Sequence, residues 1–480
     1  MKYLLTFLIL LSLNIVVSGQ ETFKFILENL QDEKPIEPLQ LADGSFILPV
    51  MSRNAYEDNN RQKILHISAQ GNILNQRFIE NPEGSCHIHN LIYENDSTLI
   101  GIGEWAISGQ NSKLWYICFD TSLKIRWEKK YETSNNFILY LRSFIDSDNH
   151  IVSCVTLTPE GYPLNGVLYF IKTSMEGDSV TARYEPSGNG PILFDLIESN
   201  SKYLGFVRGF SIHTQNQVLS LDKAFNLLDV DTLPRGNNGC ITVKTNNDSS
   251  YYMTSNYSND ETRYKIAVTL FDQNNAPLAV CLTGKNDMMN IAGADISMDF
   301  VTKPNILVGG TANFDFSNGY YSDMASWFSL SSFDSLLNLR WTKYYGGDSY
   351  YVLRSIIATA DGGALLAGTR YDYLRPDNFL DVYILKVDSA GIYTNIGENP
   401  GIKMHEAIVY PNPAHETLNI QTQLKEAVIS MYDMNGKEIL AQELQQGISN
   451  IAIQHLAAGL YFYRITSHGK FIESGKWVKE

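Results

Sequence analysis

The sequence predicts an all-β chain, a seven-bladed β-propeller followed by a small antiparallel sandwich. Three observations carry this. A short apolar strand recurs as GSFILPV (44–50), STLIGIG (97–103), NHIVSCV (149–155), SKYLGFV (201–207), SSYYMTS (249–255), PNILVGG (304–310) and GGALLAG (362–368), with starts 48 to 58 residues apart. Self-similarity at such a period marks propellers and solenoids. Each copy brings further strands and turns, enough for a four-stranded antiparallel unit. After Asn395 the texture changes to a different, shorter strand pattern.

Taken in order, Met1 to Gly19 reads as a secretory signal peptide, with Lys2, an apolar run from Leu4 to Val17 and the small-residue site Val17-Ser18-Gly19. The run is short for a bilayer span, and no later stretch is long and apolar enough for one. Residues 20–396 hold the propeller. In each blade a first strand precedes the turn, as in Leu91 to Tyr93 or Ser355 to Ile357, and a third follows, as in Leu114 to Phe119 or Val382 to Val387. A turn such as Asp120-Thr-Ser or Asp388-Ser-Ala-Gly391 closes it, because Asp and Gly suit tight turns. Fourth strands agree closely in two copies, LKIRWEKKY (123–131) and LNLRWTKYY (337–345). The N-terminal TFKFILE (22–28) reads as a fourth strand for the last blade, beside Val382 to Val387, removing an open edge; Ile392 to Ile396 is the competitor for that place. Residues 397–405 are a linker, and 406–480 form the sandwich, with alternation in Val428, Ser430, Tyr432 and in Leu460, Phe462, Arg464.

The net charge of -15 repels phosphate backbones and argues against nucleic acid as a partner. Five cysteines (Cys86, Cys118, Cys154, Cys240, Cys281) at scattered spacing make no disulfide framework or zinc pattern, and the blade map predicts free thiols within each blade.

The end module carries Val409-Tyr-Pro411-Asn412-Pro413-Ala414, then Leu418-Asn-Ile420, Asp433 with Asn435-Gly436-Lys437, and Leu456-Ala-Ala-Gly459-Leu460-Tyr461. A basic last strand holds Lys470, Lys476 and Lys479. These residues resemble the type A C-terminal sorting domain of the type IX secretion system of Bacteroidetes. The resemblance implies an Ig-like β-sandwich, engagement of the type IX machinery and export after Sec passage to the cell surface or the medium. Members are usually cleaved before the module, then released or fixed to surface lipopolysaccharide. By the same resemblance Pro411, Asn412, Pro413, Gly436, Lys437, Gly459, Tyr461 and Lys476 are the sorting-motif positions.

No GxSxG, HExxH, Walker loop or CxxC is present, so no catalytic residue, cofactor or metal is assigned. His87 and His89 share a strand face and would need one more ligand to hold a metal; a half-buried polar strand explains them as well. Asp43, Asp96, Asp148 and Asp361 recur at one turn and read as turn chemistry. Counting back from each turn places Glu37, Asn90, Arg142, Asp195, Thr242, Asp295 and Arg354 at equivalent places on first strands, which line a propeller channel. This mixed-charge ring suits a zwitterionic or sugar ligand, or else a self-neutralised tube. Trp105, Tyr251, Tyr252, Tyr320, Tyr321, Tyr350 and Tyr351 fall near strand ends, where aromatics bind sugars or pack between blades. The leading expectation is a secreted or surface binding protein for glycan or protein. The alternatives are a glycan lyase or hydrolase and a structural surface protein.

Overall fold

A computed structural model describes residues 20–480 apart from 29–30, 54–59, 96, 108–111, 134–136, 159–165, 186–191, 209–215, 235–236, 248–249, 260–261, 301–304, 376–378, 394–401, 404–406, 412, 423, 425, 435 and 469. The expected signal peptide, most of the expected linker, Asp96, Asn412 and Asn435 lie outside the described residues. Every regular element among the described residues is a β-strand. The chain divides into two compact units, one of Glu33–Asn399 with the start of the chain through Phe25, the other of Pro400–Glu480 with Ile26–Asp32.

The larger unit is a succession of sheets, all but the seventh built from consecutive strands. The first is Asp32–Pro35, Phe46–Arg53, Asn60–Ile67 and Ile73–Ile79, with Leu39–Gln40 also on the second strand. The second is Gly84–Asn95, Thr98–Ile107, Ser112–Asp120 and Ile125–Glu132. The third is Phe137–Ile145, Ile151–Thr158, Val167–Thr173 and Ser179–Glu185. The fourth is Ile192–Ser199, Lys202–Arg208, Asn216–Leu221 and Leu227–Thr232, and the fifth Asn237–Asn247, Ser250–Asn259, Thr262–Asp272 and Pro277–Thr283. In the sixth the first strand is broken into Asn290–Ala292 and Met298–Asp299, followed by Ile306–Ala312, Trp327–Phe333 and Leu339–Gly346. The seventh is Tyr350–Ala358, Ala364–Tyr371 and Leu380–Val387, and Phe23–Glu28 takes the place beside Leu380–Val387. The N-terminal strand therefore fills the position that the sequence assigned to it.

One loop recurs between the third and fourth strand of every sheet. The side-chain oxygen of Ser68, Asp120, Ser174, Asp222, Asp272, Asp334 or Asp388 accepts the backbone N–H groups two and four residues on, at 2.7–3.3 Å. The residue three on has positive φ: Gly71, Leu123, Gly177, Phe225, Asn275, Leu337 and Gly391. Glycine serves where a neighbour needs the space. A Cβ on Gly177 would stand 2.9 Å from the Trp127 ring, and one on Gly391 2.7 Å from Trp341. The two matching fourth strands thus have one job, since each lays its Trp on the loop of the following sheet. Tyr131 and Tyr345 reinforce the contact by donating to Gly177 O and Gly391 O, the latter at 2.8 Å. Phe23 repeats it against the first sheet, because a Cβ on Gly71 would stand 2.6 Å from its ring.

Middle strands are covered on both faces by neighbouring sheets, so Ile151–Thr158, Ile306–Ala312 and Leu380–Val387 are buried at every position. Of the two readings offered for the aromatics, this selects packing for four of them. Tyr251, Tyr252, Tyr350 and Tyr351 are core residues; Trp105 and Tyr320 are half-buried, and Tyr321 is exposed. Cys86, Cys118, Cys154 and Cys281 are free thiols, and the side chain of Cys240 lies outside the described residues.

The smaller unit contains a three-stranded sheet (Ala407–Tyr410, Thr417–Thr422, Gly447–Ala452) and a four-stranded one in the order Glu438–Leu444, Ala427–Tyr432, Gly459–Ser467, Lys470–Lys479. Leu418, Ile420, Ile429, Met431, Ile451, Ile465 and Trp477 share its core.

Candidate ligand site on the inner strands

First strands of the larger unit share a local irregularity. The antiparallel register slips between Ile88 and Asn90, Ile138 and Tyr140, Leu193 and Asp195, Cys240 and Thr242, and Leu353 and Ser355. Each slip is a β-bulge, which re-aims the side chains around it. Asn90, Arg142, Asp195 and Thr242 then lie opposite Ile102, Cys154, Phe206 and Thr254, matching positions of their second strands. Arg354 is itself the bulged residue of its strand, whose matching position is Ser355 opposite Ala367.

Three of the seven ring candidates stitch neighbouring sheets. Asn90 Oδ1 accepts Ser143 N at 2.8 Å, Asp195 Oδ2 accepts Val243 N at 2.6 Å, and Thr242 Oγ1 accepts Ser297 N at 2.8 Å. Asn90 Nδ2 also donates to Glu37 Oε2 at 2.9 Å. Second-strand side chains add the same kind of stitch, with Thr156 accepting Leu193 N at 3.0 Å and Thr311 accepting Leu353 N at 2.9 Å.

The other four, Glu37, Arg142, Asp295 and Arg354, converge. Arg354 holds Asp295 in a two-pronged ion pair, Nε to Oδ2 at 2.8 Å and Nη2 to Oδ1 at 2.9 Å, and Nη1 donates to Tyr320 OH at 2.8 Å. Arg142 reaches from the third sheet to the sixth, donating to Asp295 O at 2.8 Å and also to Leu141 O at 3.2 Å, while its buried Nε lacks a partner among the described residues. Its guanidinium is thus spent on neutral carbonyls. Burial pushes the Glu37 carboxyl up to about 7, with Asp295 and Asp299 adding to the rise and Lys244 and Arg142 opposing it. Asp195 is raised by burial too, against Arg142 and its two backbone N–H donors. Lys244 pairs with Asp299 at 3.3 Å.

Sequence reasoning missed Lys244 and Asp299. Lys244 lies two residues beyond Thr242 on the same strand face, so the period-2 rule could have found it. Asp299 could not be placed, because the broken first strand of the sixth sheet defeats counting.

The turn reading holds for two of the acidic residues: Asp43 accepts from Ser45 N and Oγ, and Asp361 from Gly363 N, Thr359 and Lys386. In the third sheet Asp146 accepts the turn N–H groups of Asp148 and His150, while Asp148 itself pairs with Lys223 at 3.2 Å.

In the smaller unit Tyr461 stacks on Trp477, centroids 5.0 Å apart, and donates to Ala457 O at 2.8 Å. Gly436 has positive φ in the turn capped by Asp433, which accepts Lys437 N at 3.0 Å. Pro411, Pro413, Gly459 and Lys476 are at the surface.

Residues 408–480 match the family described as the secretion system C-terminal sorting domain. The chain carries a type IX sorting tail. Such a tail directs export to the cell surface or extracellular space and implies engagement with the type IX machinery. No helix of the described residues is long and apolar enough to cross a membrane. No curated protein matches the chain. Among solved structures, the β-propeller domain of the Trilobed protease from Pyrococcus furiosus is similar at 10% identity, covering 78% of this chain and 99% of that one, with a TM-score of 0.45. PorZ, a bacterial surface component of the type IX secretion system of Porphyromonas gingivalis, is similar at 11% identity over 91% of this chain and 69% of that one, with a TM-score of 0.29. A puromycin-hydrolyzing peptidase of Mycobacterium tuberculosis matches at 10% identity, 81% and 57% coverage, and a TM-score of 0.47. None of these likenesses says what this chain binds.

Proposed function

We propose that this exported chain is a binding protein: a seven-bladed propeller over residues 20–396, a linker at 397–405, and an Ig-like sorting sandwich over 406–480, with the propeller holding an acidic or zwitterionic glycan at its inner strands. The observation that carries the reading is Arg142. A half-buried guanidinium that, among the described residues, bonds only carbonyls keeps a charge for an incoming carboxylate or sulfate, and planar two-pronged recognition of such groups is what arginine does best. Glu37 beside it would meet a cationic or hydroxyl group of the same ligand. The other ring residues hold the inner strands in place around these groups.

The test is a glycan array probed with the purified full-length chain and with Arg142→Met. A set of acidic or zwitterionic glycans bound by the wild type and weakened about tenfold or more in the variant, at unchanged thermal stability, supports the reading. A blank array, or hits indifferent to Arg142, overturns it. Glu37 favours a second reading, a glycan hydrolase, because a carboxyl near 7 suits a general acid. New reducing ends appearing in bound glycans, and absent with Glu37→Gln, would select that reading.

A further inference from the structure

We propose that His87, His89 and Glu104 form a site for one divalent transition-metal ion of the zinc type, on the inner edge of the second sheet and independent of the glycan reading. The sheet itself assembles the set. His87 pairs in register with Glu104 across the first hairpin, and His89 is the residue bulged out beside them. Gly103 makes the close backbone approach possible, since a Cβ there would stand 2.0 Å from His87 O.

One ligand atom from each residue lies within 4.8 Å of the other two. His87 Nε2 and Glu104 Oε2 are 3.4 Å apart. A zinc ion that holds ligands at ~2.0–2.1 Å spaces tetrahedral ligand atoms by roughly 3.3 Å, so that edge is already formed. The imidazole rings stand 4.3 Å apart, and a small movement of His89 completes the triangle. Among the described residues the buried His89 Nε2 has no hydrogen-bond partner, an unusual cost for a protein to carry without return, and a metal ion there would supply one. The second carboxylate oxygen of Glu104 accepts from Ser112 Oγ, the kind of outer contact that fixes a ligating carboxylate. Two imidazoles and one carboxylate suit zinc and its neighbours and not calcium or magnesium, which take oxygen ligands. Three protein ligands leave a fourth position open to water or to a ligand group.

The experiment uses untagged full-length chain, stripped with EDTA, dialysed and titrated calorimetrically with zinc chloride. The expected result is one saturable zinc per chain, with affinity falling about 10- to 100-fold in His89→Ala and in Glu104→Gln. Cobalt substitution of the wild type gives an independent readout, visible d–d bands of a tetrahedral site that a simple His–Glu ion pair would never produce. Absence of saturable zinc binding in the wild type overturns the proposal. So does equal affinity in His89→Ala, which would move the binding to exposed histidines such as His415 and His468.

Discussion

Glu37 is a carboxyl held among like and unlike charges with its back to protein, and its chemistry shows in stability before it shows in binding. Its ordinary value of 4.5 is pushed up to about 7, chiefly by burial. Between those two values the folded chain keeps a proton that the unfolded chain releases. Stability therefore falls as pH rises through the window from 4.5 to 7 and stays reduced above it. Glu37→Gln removes the titration and keeps an acceptor for Asn90. Urea unfolding should find the variant more stable than wild type by about 1–2 kcal/mol at pH 8, with the gap closing toward pH 4.5. An equal gap at both values would mean that burial does not govern this carboxyl. Leu123, Phe225 and Leu337 make the opposite bargain at the recurring loop. Each takes a left-handed backbone costing roughly 1–2 kcal/mol, and each buries its side chain fully enough to offset it.

At the level of elements, the N-terminal strand is the one on which most depends. Phe23, Phe25 and Leu27 are buried, and Phe23 packs on both Phe46 and the loop at Gly71. A chain beginning at Lys34 should melt lower by roughly 5–10 °C in scanning calorimetry, given three buried apolar side chains and an uncovered edge. An unchanged melting temperature would mean another segment takes the place. The repeat was legible in the sequence because the loops need Asp or Ser before a tight turn and the fourth strands need an aromatic for the next loop. The bulges were not legible. Pairing the hairpin of the second sheet simply, Asn95 with Thr98, would set His89 opposite Glu104; two slips in the register bring His87 there instead. The Tyr-Tyr pairs were legible only as two alternatives, surface binding or packing, for a related reason. Alternation signals one covered face, and strands sandwiched between sheets have two. The four converging charges of the site came from the same counting that gave three structural stitches, since spacing along a strand does not tell which way a bulge turns a side chain.

For the whole molecule, the address and the body are separable by sequence. Residues 408–480 carry the sorting family's pattern, and deleting them should leave the protein inside the producing cell, while the full chain appears at the surface or in the medium. Immunoblots of culture fractions would decide; export of the shortened chain would remove the tail's role. Tyr461, one of the sorting-motif positions, stacks on Trp477 in that unit's core.

The seventh sheet joins Phe23–Glu28 to Leu380–Val387. The first strand to emerge during synthesis or translocation must therefore wait for almost the last one of its unit. Until residue 387 has passed, the sheet has no partner for the strand, and the chain behind it stays incomplete at its seam. The seventh sheet of such a chain closes only once Leu380–Val387 is available to pair. Topology here acts as a clock for assembly, read from the far end of the polypeptide.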